Sequence, residues 1–300
     1  MRPPKQAPKT SQHIGIEWAT HMVWPDDASH KHNRGRLAVV SGGPLQTGAA
    51  RLCAAAGQRI GAGWVSLIGE PAAALMMAHH ETERLILARM PDHTLLDLLY
   101  GFDALVIGPG LGLSPQCHKD VVSVLTGFDR PIVLDGDALA LVAQDGVSGE
   151  LGQALCARQA PVILTPHQGE FERLFPQANP SVKLAATLEC AKLYRTLLVN
   201  KGHQTIVATP QGRIGLSQST TPFCASAGTG DVLAGMIGGL LAQGLEPFDA
   251  ACGGVWLHSQ AANRAGPGLI ASDLIAHLPD LLNELAPSPL KRANPPADHP

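Results

Sequence analysis

RLAVVSGGPLQTGAARLCAAAGQR, residues 36–59, runs from a short apolar segment through a Gly-Gly-Pro turn into a helix of small residues. Residues 36–40 show no polar alternation, so both faces of this strand should be buried, as in a parallel sheet covered by helices on either side. The same succession recurs along the chain. Runs 64–68, 104–107, 132–134, 162–164 and 196–199 read as further buried strands, with helices over 45–59, 115–126, 169–174 and 181–194. This rhythm predicts an α/β fold with a doubly wound, mostly parallel sheet and helices on both faces. It changes at 204–208 and 213–217, which flank Thr209-Pro210-Gln211-Gly212, a turn sequence suited to a hairpin, so an antiparallel edge is expected. Three more helical segments, 231–243, 248–265 and 270–285, should pack on that sheet.

Three hundred residues suffice for one large core, and one domain is the default. With 22 basic against 25 acidic residues and a net charge of −3, a phosphate-tracking nucleic-acid surface has no support, and small molecules are the expected partners. Residues 1–9 are rich in Pro and Lys and lead into no apolar signal core, while the longest apolar runs are interrupted by Gly, Gln or Arg; neither secretion nor membrane insertion is expected. Six cysteines, Cys53, Cys117, Cys156, Cys190, Cys224 and Cys252, lie far apart without zinc-site spacing, and read as buried thiols in a reducing cytoplasm. The organisation read from this is an N-terminal extension over 1–29, a folded domain over 30–285 and a tail over 286–300, whose five prolines and charges leave little apolar surface to order it.

The sharpest chemical signal is Ala227-Gly228-Thr229-Gly230-Asp231, opening a small-residue helix. Glycines let successive N–H groups and a helix N-terminus point at one spot, which favours an anion such as phosphate. A carboxylate would repel that anion, so Asp231 makes chemical sense as a base that takes a proton from a substrate hydroxyl during phosphoryl transfer; the bland alternative is an ordinary N-terminal Asp. Gly108-Pro109-Gly110-Leu111-Gly112 follows a predicted strand, where open α/β sheets bind ligands, but lacks the dinucleotide fingerprint spacing. Ser41 to Ala50 carries Gly43 and Gly48 at P-loop spacing, yet Ala49-Ala50 stands where Lys-Ser/Thr is required, so it is no Walker motif. Asp135-Gly136-Asp137 could order waters around magnesium or simply cap a helix. His167, in Thr165-Pro166-His167-Gln168-Gly169-Glu170, could hydrogen-bond a ligand, while Glu170 complements the helix dipole. Lys201, in Asn200-Lys201-Gly202-His203-Gln204-Thr205, could meet a nucleotide phosphate, or be a solvated loop lysine. Five of these six clusters share an address at predicted strand ends, which describes one phosphoryl-transfer crevice better than unrelated turns.

In this order, GGPLQTGA (42–49), VIGPGLG (106–112), VLDGDAL (133–139), LTPHQGEFERL (164–174), NKGHQTIVA (200–208) and AGTGDVLAG (227–235) resemble the ADP-dependent NAD(P)H-hydrate dehydratases, from about residue 30 to 285. The resemblance implies a ribokinase-like fold and repair of the S epimers of hydrated NADH and NADPH (NADHX, NADPHX), with ADP as co-substrate, magnesium as helper, and AMP and phosphate as products. Carried over by position, Lys201, Gly202, His203, Gln204, Thr205, Gly228, Thr229 and Gly230 resemble the nucleotide site. Ala49, Gly110, Gly112, His167 and Asp231 resemble the hydrate site, with Asp231 the catalytic base. Departures are Pro44 where Ser is frequent, Gly136 for the Ala of a DAD-type loop, and Ala140 where Asn is frequent. The resemblance also implies a homo-oligomer, with a tetramer the family expectation, and a separate NAD(P)H-hydrate epimerase as metabolic partner, since residues 1–29 are too few to hold that domain. ADP against ATP, and NADHX against NADPHX, stay open. The rival readings are a small-molecule kinase acting on a thiamine precursor, and a non-catalytic nucleotide sensor; His167 and the GPGLG loop weigh against the first, Asp231 against the second.

Overall fold

Short runs, most of them rich in Val, Ile and Leu, become the strands of a ten-stranded sheet. The computed structural model describes residues 11–179, 182–218, 221–287 and 290. The strands are β1 (Ser11–His13), β2 (Arg36–Val40), β3 (Trp64–Gly69), β4 (Leu85–Ala88), β5 (Ala104–Ile107), β6 (Ile132–Leu134), β7 (Val162–Leu164), β8 (Leu197–Asn200), β9 (Ile206–Ala208) and β10 (Ile214–Leu216). Their order is β1-β10-β9-β8-β7-β6-β5-β2-β3-β4. Strands β2 to β8 run parallel to one another, whereas β9 is antiparallel to both β8 and β10. The parallel part is built from β2, outward through β3 and β4, and then from β5 on the other side of β2. That reversal leaves a crevice at the carboxyl ends of β2 and β5, the place where open α/β sheets hold ligands.

The helices are α1 (Thr47–Arg59), α2 (Pro71–His80), α3 (Pro115–Gly127), α4 (Asp137–Asp145), α5 (Glu150–Ala157), α6 (Gln168–Leu174), α7 (Lys183–Tyr194), α8 (Thr229–Ala242), α9 (Pro247–Ala265) and α10 (Ala271–Leu285). Alternate strand residues feed two cores. Leu37, Val39, Val106 and Val199 pack with α1, α8, α9 and α10, while Ala38, Val40, Ile107 and Leu134 pack with α3 to α7. Both faces of each central strand are therefore dry, which is why those strands carry no polar alternation. The fold is α/β and doubly wound, mostly parallel and covered by helices on both sides, as the sequence predicts.

Three particulars differ from the sequence reading. Strand β4 and helices α2 and α5 were not anticipated: β4 is partly exposed throughout, and the charged stretch Glu81 to Arg84 before it hides a four-residue strand. The hairpin is antiparallel and lies at this end of the sheet as expected, with β1 added in parallel outside it, on β10. Sheet structure thus begins at Ser11, inside the stretch read as an extension, and Trp18, at 3% exposure, packs in the core behind it. Of the cysteines, all free, Cys53, Cys190 and Cys252 are buried, but Cys117, Cys156 and Cys224 are only partly so. Ser181 and most of 286–300 lie outside the described residues. Among the described residues no helix is long and apolar enough to cross a membrane.

Candidate functional site

Glycine sets the shape of the crevice by letting backbones touch. A Cβ on Gly42 would lie 1.7 Å from the Gly110 carbonyl oxygen, and one on Gly108, whose φ is +124°, 1.9 Å from that of Asp135. The loops after β2, β5 and β6 are therefore stacked backbone on backbone, where any side chain would force them apart. Asp137 fastens the stack: its Oδ2 accepts the Gly112 N–H at 2.8 Å, while its own N–H donates to the Gly108 carbonyl at 3.1 Å. Ala49 meets this stack at the start of α1, its Cβ 3.5 Å from where a Gly110 Cβ would be. A cleft of about 280 Å³ opens beside these loops, walled by Gly42, Gly43, Gln46, Leu111 and Gly112. Ser41, whose buried hydroxyl has no partner among the described residues, also lines it.

The chemistry gathers at the neighbouring strand ends. Lys201, just after β8, donates from Nζ to Asp135 Oδ1 at 2.9 Å, and Asp135, just after β6, is 3% exposed. The same Nζ lies 3.2 Å from the position of a Gly230 Cβ, so the lysine reaches the first turn of α8. There Gly228 has φ +86°, and the Thr229 hydroxyl donates to the carbonyls of Cys224 and Ser226, both at 2.9 Å. The Thr229 N–H turns back to the Ser226 carbonyl at 3.4 Å, which leaves those of Gly230 and Asp231 for an anion. His258, on α9, braces the turn from behind: the Thr229 carbonyl can only accept, so Nε2 carries the hydrogen and donates it at 2.9 Å. Burial pushes this imidazole down to about 4, so it is neutral at physiological pH.

Asp231 stands in that first turn, and burial, reinforced by the Asp135 carboxylate, raises its pKa to about 6 against the pull of Lys201; Glu170 and Asp137 add smaller upward pushes. A carboxylate poised near 6 is ionised at neutral pH yet is a stronger base than an ordinary Asp. Glu170 is raised as well, chiefly by burial.

The structure brings Lys201, Gly228, Thr229, Gly230 and Asp231 together, and joins Ala49, Gly110 and Gly112 in the adjoining loops. His167 sits at the same rim but is engaged in capping: its Nδ1 accepts the N–H groups of Gly169 and Glu170, at 3.0 and 3.4 Å, while Glu170 accepts the His167 N–H at 2.8 Å. Its Nε2 lies 3.5 Å from Glu170 Oε1, and with the ring 57% exposed that edge is the one a ligand could reach. Gly202, His203 and Gln204 are exposed, in a loop tied down by Lys183, which donates to the carbonyls of Lys201 and Gln204 at 3.1 and 2.9 Å. Thr205 is buried and gives its N–H to the Ser217 hydroxyl. Sequence reading missed Lys183 and His258, both on helices remote in sequence from the motifs they brace; no local pattern marks them.

Among the described residues no cluster of three or more His, Cys, Asp or Glu side chains forms a metal cage. One oxygen each of Asp135, Asp137 and Glu170 is occupied by a protein donor. The remaining oxygens suit a magnesium ion carried mainly by phosphates and water, which needs few protein ligands.

Known proteins resemble this chain in sequence and in fold. The family model for NAD(P)H-hydrate dehydratase matches residues 37–282. The chain is 36% identical over 244 residues to the ADP-dependent (S)-NAD(P)H-hydrate dehydratase of Neisseria meningitidis, covering 78% of each protein. The ADP/ATP-dependent NAD(P)H-hydrate dehydratase of Bacillus subtilis, co-crystallised with ATP and Mg2+, superposes with a TM-score of 0.77 at 27% identity, over 91% of this chain and 98% of that one. A ribokinase-like protein of Enterococcus faecalis gives a TM-score of 0.80 at 24% identity, covering 92% and 96%, and speaks to the fold. The chain spans about half the length of the bifunctional NAD(P)H-hydrate repair enzymes it also matches, 52% of the one from Salinibacter ruber.

Proposed function

Since this chain belongs to the NAD(P)H-hydrate dehydratase family, we propose that it dehydrates the S epimers of NADHX and NADPHX back to NADH and NADPH at the expense of ADP. The observation that carries the reading is the juxtaposition at the start of α8: an amide nest for a phosphoryl group, a lysine pinned beside it, and a buried carboxylate whose pKa is lifted to about 6.

In this reading the nucleotide's terminal phosphate rests on the N–H groups of Gly230 and Asp231, in the turn opened by Gly228 and Thr229, with Lys201 beside it. Asp231 takes the proton of the C6 hydroxyl as that oxygen attacks phosphorus, and the bond from phosphorus to the AMP oxygen breaks. The phosphate then leaves C6, pushed by the ring nitrogen lone pair, and loss of a C5 proton restores the double bond. Products are AMP, phosphate and NAD(P)H. The nest contributes by being fixed in advance where charge develops. The loop stack at Gly42, Gly110 and Gly112 holds the hydrated ring with Ala49 and the Nε2 edge of His167. Magnesium, supported through Asp135 and Glu170, would neutralise phosphate charge. A reducing cytoplasm suits the six free cysteines, and an NAD(P)H-hydrate epimerase would supply the S epimer. A homo-oligomer is part of the same proposal.

The test is direct. Hydrated NADH incubated with ADP, magnesium and the protein should regain absorbance at 340 nm and yield AMP, and Asp231→Asn should slow turnover by ~10²-fold or more while nucleotide affinity holds. Accumulation of a phosphorylated alcohol instead would identify a kinase, and nucleotide binding without turnover a sensor.

A further inference from the structure

The cleft beside the glycine loops does not end there. Glu70, Arg89, Leu95, Gln116 and Asp120 line it and also line a second compartment of about 510 Å³ that opens toward the loop after β4. The two spaces share these walls and form one trough leading away from the site. Their characters differ. The inner compartment is bounded by glycine backbone and by Val40, Ile68 and Leu111, whereas the outer one is faced by His93, Thr94, Lys119 and Ser123.

At the junction Arg89 is held on both sides, donating to Asp120 Oδ2 at 2.6 Å and to Glu70 Oε1 at 3.1 Å, while Gln116 donates to the other Asp120 oxygen at 2.9 Å. Arg89, one guanidinium between two carboxylates, is therefore a fixed floor whose positive charge is more than offset. Lys119 is different: exposed on α3, it has no carboxylate within ion-pair distance among the described residues. His93, also exposed, stands in the same compartment. The outer space thus offers a fixed floor, hydroxyl and amide groups, and, in Lys119, an ammonium that no carboxylate pairs among the described residues.

Sites for drug-sized ligands occupy roughly 300–1,000 Å³, so the inner cleft of about 280 Å³ has room for one end of a dinucleotide and not for the whole. Building on the function proposed above, we infer that the outer compartment receives the adenosine half of the substrate, with Lys119 and His93 reading the ribose phosphate that distinguishes a phosphorylated from an unphosphorylated dinucleotide. Neither residue touches the reacting atoms; both act on selectivity alone. An ammonium facing a phosphate in solvent-exposed surroundings is a rim contact, so its effect is moderate and sensitive to salt.

Steady-state dehydration of NADPHX and NADHX by the parent and by Lys119→Glu, combined with calorimetric binding of NADPH and NADH, tests this. Lys119→Glu should raise KM for NADPHX about tenfold, leave KM for NADHX within about twofold, and keep kcat for both. NADPH binding should weaken in parallel, and high salt should narrow the difference in the parent. Lys119→Arg should restore the preference. If the parent turns over both hydrates and the variant changes neither ratio, or weakens both substrates equally, the assignment of this compartment is wrong while the proposed activity stands. If the parent turns over neither hydrate, the proposed activity itself fails and the selectivity assignment falls with it.

Discussion

At the scale of single residues, Asp231 carries two opposed demands. Its carboxyl is held near 6 instead of the ordinary 3.8, mainly by burial and by Asp135. As a base it must be ionised, so kcat/KM should rise with pH through a limb near 6 and level off above it. The neighbours set that limb. Asp135→Asn removes an upward push and frees Lys201, so the limb should move below 6; Lys201→Met removes the downward pull, so it should move above. A limb that stays put in both variants would dissociate it from Asp231. Stability follows the opposite sense. Between 3.8 and about 6 the folded chain keeps a proton that the unfolded chain has lost, so the stability linked to Asp231 is full below pH 3.8 and is lost as pH rises through 6. Asp231→Asn should therefore be more stable than the parent by on the order of 2 kcal/mol at pH 8 in urea titrations, a gain that vanishes below about pH 4. His258 belongs to this scale too: a neutral donor to the Thr229 carbonyl keeps the turn in place without adding charge beside the nest.

At the scale of elements, the site is aimed by how α1 crosses α8. Gly57, Gly235 and Gly239 let the two backbones meet: a Cβ on Gly235 would sit 2.0 Å from the Cys53 carbonyl oxygen, and one on Gly239 2.6 Å from that of Gly57. This seam fixes the start of α8, with Gly228 packed on Leu52 and Ala271, relative to the start of α1, where Ala49 approaches Gly110. Gly235→Ala should thus cost about 1–3 kcal/mol through overpacking against a rigid backbone, readable as a lower urea midpoint, and should raise KM for nucleotide as the nest tilts. Gly244→Ala makes a control, since a Cβ there meets nothing within 4 Å and only its φ of +88° is strained. The small residues of these helices were visible in the sequence as composition. Which of them touch was not, because helix crossings are chosen by surfaces distant along the chain.

At the scale of the whole molecule, the N-terminal segment completes one core. Trp18, in the turn Glu17–His21, packs on Gly253, where a Cβ would lie 2.6 Å from its ring, and stands 6.1 Å from Trp256 between ring centroids. Trp18→Ala should lose about 3–5 kcal/mol, seen as a lower midpoint in thermal or urea unfolding. A mild effect would return residues 11–21 to the status of an appendage. Strand β1 also covers β10, which otherwise would present an open sheet edge.

Much was legible in the chain itself. Unbroken apolar strands between helices can only be buried on both faces, so the parallel, doubly wound class followed from periodicity, and the ligand-bearing strand ends followed from glycine, whose backbone freedom is written in its identity. Asp231 could be singled out because a carboxylate next to an anion nest is costly unless it is used, and Lys201 because it is a cation directly after a predicted strand, where ligands bind. What needed the tertiary structure were the pairings between distant segments: Lys201 with Asp135, His258 behind Thr229, Lys183 on the 201–204 loop, β1 on β10, and the trough floored by Arg89. Local sequence encodes propensity and chemistry, but burial, and with it the lifted pKa of Asp231, arises only when the packed fold removes water and sets one carboxylate in the field of others.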